Sequence, residues 1–132
     1  MSDWEQLVDV LNSWPSLDID AEGTFKYVLI EVAAFQEGQE EQTKLIVRGH
    51  GWAEYHADIY DKEEELVRKR GLDAQCLGGG RIQRKSGSNG GRDEIVVYGY
   101  SVGFGRADHS KTTDIIKKAL PDSTVSWNNE GY

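Results

Sequence analysis

Three histidines, His50, His56 and His109, are the side chains of this sequence best suited to exchange a proton near neutral pH. His56 stands apart by position. It falls in the first turn of a helical pattern running from Tyr55 to Arg70, where the positive end of the helix dipole lowers an imidazole pKa and free N–H groups attract anions. That placement suits a neutral base beside a phosphate. On local spacing alone, a half-buried histidine satisfied by hydrogen bonds at a helix start is the commoner outcome, so the neighbourhood has to decide.

Three cations are candidates for that neighbourhood. Lys26 interrupts a strand face carrying Val28, Ile30 and Val32, and Arg48 ends the face that carries Ile46. Both can converge at a sheet end, and Arg81 has the same possibility; the ordinary fate of such residues is to pack their stems and keep their charges in water. Tyr100-Ser101-Val102-Gly103-Phe104-Gly105 places small residues and backbone amides after a strand, in the logic of an anion nest but matching no Walker pattern. Gly78-Gly79-Gly80-Arg81 lacks the spacing and following helix of a dinucleotide fingerprint, so no nucleotide cofactor is expected. None of the histidines sits in a structural-zinc spacing with Cys, His or carboxylates, and no metal is expected. Asp58 and Asp61 flank a helix start, where carboxylates ordinarily favour the dipole.

These residues need elements to hold them. Trp4, Leu7, Val8 and Leu11 recur at helical spacing, with Ser2 or Asp3 as N-cap and Pro15 as a stop, so residues 1–16 read as a helical extension of the domain that fills 17–132. Leu17 to Ile19 is a short strand, Thr24 to Ala33 a strong one, and Thr43 to Arg48 pairs back on it across a polar loop. The helix after Tyr55 buries Tyr55, Ile59, Leu66 and Val67, leaves Glu63 to Glu65 in water, and ends at Gly71. Asp73 to Leu77 and Arg81 to Lys85 form one extended run broken at the three glycines, where a bulge or close backbone approach is expected. Ser86 to Asp93 reads as a hairpin loop and Glu94 to Ser101 as a near-continuous apolar strand. A second main helix over Ser110 to Leu120 buries Ile115, Ile116, Ala119 and Leu120, and Thr124 to Trp127 supplies the last strand. The fold class is α+β with a mixed sheet.

At 132 residues, the chain fits one domain, and 38% hydrophobic with 29% charged residues is the composition of an ordinary folded one. A net charge of -8 repels polyanions, which argues against nucleic acid as a partner. No apolar stretch is long enough to cross a bilayer, so no membrane partner is expected. The single cysteine, Cys76, excludes an intramolecular disulfide, and the N-terminus has no signal-peptide pattern; a cytoplasmic address is expected. A monomer is expected, since no exposed apolar stripe or heptad run is visible.

Phe25-Lys26-Tyr27-Val28-Leu29-Ile30, Val47-Arg48-Gly49, Trp52-Ala53-Glu54-Tyr55-His56-Ala57-Asp58-Ile59-Tyr60, Cys76-Leu77-Gly78-Gly79-Gly80-Arg81-Ile82 and Val97-Tyr98-Gly99-Tyr100-Ser101 together resemble the 14 kDa phosphohistidine phosphatase family, also called janus/ocnus. The likeness runs from about Leu17 to the terminal Trp127 to Tyr132. It implies a mixed sheet flanked by two main helices and a metal-free, cofactor-free hydrolysis of phosphate from phosphohistidine-containing proteins, with phospholysine as a possible further substrate. By position, the resemblance makes His56 the catalytic histidine and Lys26 the phosphate-binding lysine. Ser101, Val102 and Gly103 become the loop whose amides hold the phosphate; Arg48, Tyr55, Ala57, Arg81 and, with a lesser role, His109 support them. The alternative that the family carries is a non-catalytic phosphoprotein-binding or regulatory module. Val102-Gly103, the longer 86–93 loop and the N-terminal helix depart from the family's vertebrate members.

Overall fold

The first helix begins where a serine can cap it. Ser2 Oγ accepts the Glu5 amide at 3.1 Å and the Glu5 carboxylate accepts the Ser2 backbone amide at 3.4 Å, a capping box that opens α1 at Asp3–Ser13. Trp4, Leu7, Val10, Leu11 and Trp14 seat this helix on the core, with Val10 taking the place expected of Val8. The computed structural model describes residues 1–131, apart from the side chains of Ser88 and Asn89; Tyr132 of the terminal motif lies outside them.

The strands are β1 (Leu17–Ile19), β2 (Gly23–Ala34), β3 (Gln42–His50), β4 (Asp73–Asn89), β5 (Arg92–Tyr98) and β6 (Thr124–Trp127), and the remaining helices are α2 (His56–Lys69) and α3 (His109–Ala119). They form one sheet in the order β1-β3-β2-β4-β5-β6. The inner pairs are antiparallel, while β1 runs parallel to β3 and β6 parallel to β5, so the sheet is mixed. Period-two alternation divides the core. Val28, Ile30, Val32, Ala34 and Ile46 face α1 and α2; Phe25, Tyr27, Leu29, Ile82, Ile95 and Val97 pack with Ile116 of α3 on the other side.

The glycine-broken run is a single strand. Its register against β2 shifts between Leu29 and Ile30, where Gly78 and Cys76 are the partners and Leu77 is left over, a bulge immediately before the three glycines rather than within them. The long 86–93 loop, by contrast, is mostly strand. Pairing extends to Asn89 with Arg92, and Gly90 and Gly91, with φ of +64° and +87°, make the two-residue turn that only such residues adopt readily. β5 ends at Tyr98 rather than Ser101, because Gly99 turns the chain at φ +75°.

Both main helices bury part of the expected set, Ile59 and Val67 in α2 and Ile116 in α3 with Ile115 and Leu120 packed beside it, and add polar residues to it. In α2, Ile59, Glu63 and Val67 lie four apart on the buried face, whereas Tyr55 and Leu66 are exposed. Glu63 can be buried because Arg48 reaches it from β3 at 3.1 Å and Trp14 Nε1 donates to it at 2.8 Å. Arg48 also donates to the Pro15 carbonyl at 2.8 Å. Its guanidinium therefore ties β3, α2 and the exit of α1 together and does not line the cleft described below. In α3, the buried positions are His109, Thr112, Thr113 and Ile116, and Ala119 is exposed. No helix among the described residues is long and apolar enough to cross a membrane.

Removing one partner of a buried ion pair leaves an uncompensated charge, so Glu63→Ala should lose about 3–5 kcal/mol of stability, read from the denaturant midpoint. Arg48→Met combined with Glu63→Leu should recover most of it. A Glu63→Ala loss below about 1 kcal/mol would show that the pair does not hold these elements together.

Candidate active site

Gly78, Gly79 and Gly80 lie in the middle of β4, and the space a side chain would take there is already full. A Cβ on Gly78 would come within 2.7 Å of Ala107 N, one on Gly79 within 2.7 Å of His56 Cδ2, and one on Gly80 within 2.7 Å of His109 Cε1. The start of α2, the 101–107 loop and the start of α3 thus close on one bare stretch of backbone. The loop is sewn to it: Gly79 N–H donates to Gly105 O, and Ala107 N–H to Gly79 O, both at 3.0 Å.

Within the loop, Ser101 and Gly105 exchange backbone bonds at 3.1 and 2.8 Å, and the buried Ser101 hydroxyl accepts the Phe104 amide at 3.1 Å. The Ser101 amide is therefore engaged, contrary to the reading that it joins Val102 and Gly103 in holding an anion; its side chain braces the turn instead. Among the described residues, no acceptor is found for the amides of Val102 and Gly103. Two backbone donors at the tip of a braced turn are an anion site in kind. The first-turn amides of α2, at His56 and Ala57, have no intrahelical acceptor either, and both residues line the same cleft.

Between these two sets of donors lies a cleft of about 450 Å³, lined by His56 and Ala57 on one side, the 100–104 segment on the other, and by Lys26, Arg81 and Tyr55. Lys26 and Arg81 are direct partners across β2 and β4. Like charges placed opposite each other on one sheet face oppose folding unless an anion comes between them. His56 Nε2 lies 2.9 Å from Gly80 O. A carbonyl only accepts, so Nε2 carries the proton and Nδ1 is left bare. Burial pushes the imidazole pKa below its ordinary value, and the nearby Lys26 and Arg81 charges add to this against the opposing Gly80 bond. The result is a neutral imidazole with one basic nitrogen, at a site that favours negative charge.

His109 does not reach the cleft. It is buried on the α3 side, donates from Nε2 to Gly99 O at 2.8 Å and accepts the Tyr27 hydroxyl on Nδ1 at 2.5 Å; Thr112 Oγ1 in turn donates to Tyr27 at 3.1 Å. Gly99 N–H donates to Glu130 O at 3.1 Å, so the residue that launches the 100–105 turn is held through both its backbone groups. The bracing roles of Tyr27, Gly99 and the 128–131 tail escaped the sequence reading: Tyr27 is one more apolar-face residue of its strand by spacing, and a backbone carbonyl leaves no mark in a sequence. His50 faces Asp20 at 3.2 Å and stacks on Trp52. Among the described residues, no group of three or more potential metal ligands gathers.

A family model described as the Janus/Ocnus family matches residues 11–124. The 14 kDa phosphohistidine phosphatase of Sus scrofa is 51% identical over 120 residues, 89% of this chain and 92% of its own length. Its namesake from Homo sapiens is 49% identical over 120 residues, covering 89% and 93%. The sex-regulated protein janus-A of Drosophila melanogaster is 43% identical over 124 residues, covering 94% and 86%.

Burial holds both His56 and His109 below the ordinary histidine pKa of 6.5. The unfolded chain then binds more protons than the folded one, so their contribution to stability is complete above about pH 6.5 and is lost as pH falls through the folded pKa values. The NMR titration of His56 should have its midpoint below 6.5, and the melting temperature should fall on acidification below that pH. A His56 midpoint at or above 6.5 would contradict the site described.

Proposed function

The chain belongs to the Janus/Ocnus family, and from that premise we propose that it is a protein phosphohistidine phosphatase working without a metal, with His56 as general base. The observation that carries this reading is the bare Nδ1 of His56 beside two cations and unsatisfied amides. Lys26, Arg81 and the Val102 and Gly103 amides hold the phosphoryl oxygens, and Ala57 at the start of α2 adds a further amide. His56 Nδ1 takes a proton from water as its oxygen bonds to phosphorus. The P–N bond breaks, its electron pair goes to the leaving nitrogen, and the imidazole, protonated on its other nitrogen, departs neutral. Phosphoryl transfer of this kind needs positioning and charge stabilisation more than covalent help from the protein.

His109 and Tyr27 act through the backbone, setting Gly99 and with it the turn, and Arg48 acts through the fold. The substrates are phosphohistidine-bearing proteins, and we read the enzyme as a cytoplasmic monomer, supported by its single thiol and its net charge of -8. A non-catalytic phosphoprotein-binding module is the second reading. The higher identity to the chains named phosphohistidine phosphatase than to janus-A favours the first, as does a base that mere binding does not require.

Phosphate release from a phosphohistidine peptide in the presence of a chelator should persist in the wild type and drop about a hundred- to ten-thousand-fold in His56→Ala, the usual contribution of a general base. Peptide binding without turnover would select the binding module. Equal turnover in both proteins would remove His56 from the mechanism.

A further inference from the structure

Tyr55 is the N-cap of α2, a position where Ser, Thr, Asp or Asn would satisfy a first-turn amide. Its side chain makes no capping bond and is 63% exposed. The backbone beneath it is fixed, since Tyr55 N–H donates to Asp58 Oδ2 at 2.9 Å and Tyr55 O accepts the Asp58 amide at 3.0 Å. The helix thus forgoes a cap and mounts an aromatic ring on rigid backbone at the mouth of the cleft. A residue chosen against its local preference marks a site where something other than folding is served.

The other aromatic rings of the cleft are engaged. Tyr100 lies under the Arg106 guanidinium at 5.7 Å, and Phe104 meets Tyr60 edge-on at 5.6 Å. Tyr55 has no hydrogen-bond, cation or ring partner for its side chain among the described residues. Val102, on the tip of the anion-binding turn, also lines the cleft and is 90% exposed. The cleft, at about 450 Å³, is far larger than a phosphate. Its cationic floor and apolar walls complement a phosphate joined to a flat ring.

We propose that Tyr55 determines specificity for the leaving group, its ring stacking on the imidazole of the substrate phosphohistidine while Val102 covers the other face. This rests on the phosphatase reading and names what the site recognises beyond the phosphate. The stack holds the ring plane so that the P–N bond lies in line with the attacking water. The bonds made and broken are those already described, with Tyr55 taking no part in proton transfer.

The test is the ratio of kcat/KM for a phosphohistidine peptide to that for phosphoramidate, whose leaving group carries no ring, in the wild type, Tyr55→Leu and Tyr55→Phe. The exposed position lets both variants fold. The ratio should fall about five- to tenfold in Tyr55→Leu, the size of an aromatic pair, and stay within about twofold in Tyr55→Phe, which keeps the ring face. A ratio unchanged in Tyr55→Leu overturns the proposal, as does a fall in Tyr55→Phe as large as in Tyr55→Leu. A wild type that hydrolyses neither compound overturns the phosphatase reading itself, an outcome distinct from an active enzyme whose ratio ignores Tyr55.

Discussion

Everything at this site depends on a stretch of β4 that has no side chains. Gly79 lets His56 and the Ser101 turn approach from the α2 face, and Gly80 lets His109 approach from the α3 face, so one strand separates two histidines with opposite tasks. The Gly80 carbonyl holds the proton of His56 and so leaves its other nitrogen basic. On the opposite face, His109 spends both nitrogens on Tyr27 and Gly99, which makes it a brace. Side chains on this strand would push these pieces apart; their absence is what assembles the site.

The site also gathers groups that favour an anion. Lys26 and Arg81 lie opposite each other beside a half-buried neutral imidazole, and two turn amides lack acceptors. A phosphoryl group is complementary to all three. The rest of the fold holds these groups in position, through the Arg48–Glu63 pair, the split apolar core and the parallel edge strands. An acidic protein can bind an anion here because close, fixed donors outweigh a distant, screened net charge.

Much of this was legible in the sequence. Leu17 to Ile19 and Thr124 to Trp127 are strands with the bounds expected, the helix beginning at His56 is present, and the three glycines are where backbone and side chains approach closely, with the bulge one residue before them at Leu77. His56, Lys26, Arg81, Ala57, Val102 and Gly103 meet in one cleft. What stayed hidden depended on partners distant in sequence or on backbone atoms. Glu63 reads as a solvent residue until Arg48 and Trp14, 15 and 49 positions away, are seen to meet it. Gly90-Gly91 reads as a flexible loop until both strands are found to continue into it. The Ser101 amide reads as free because its acceptor, Gly105, is a carbonyl in the same turn.

The central claim is that Gly80 fixes the tautomer of His56. A long-range proton–nitrogen correlation spectrum of the protein near neutral pH reads it directly. The account predicts a proton on Nε2 and a bare Nδ1 for His56. A neutral imidazole with its proton on Nδ1 would contradict it, since the nitrogen facing Gly80 would then have no hydrogen to donate and the basic nitrogen would be turned away from substrate.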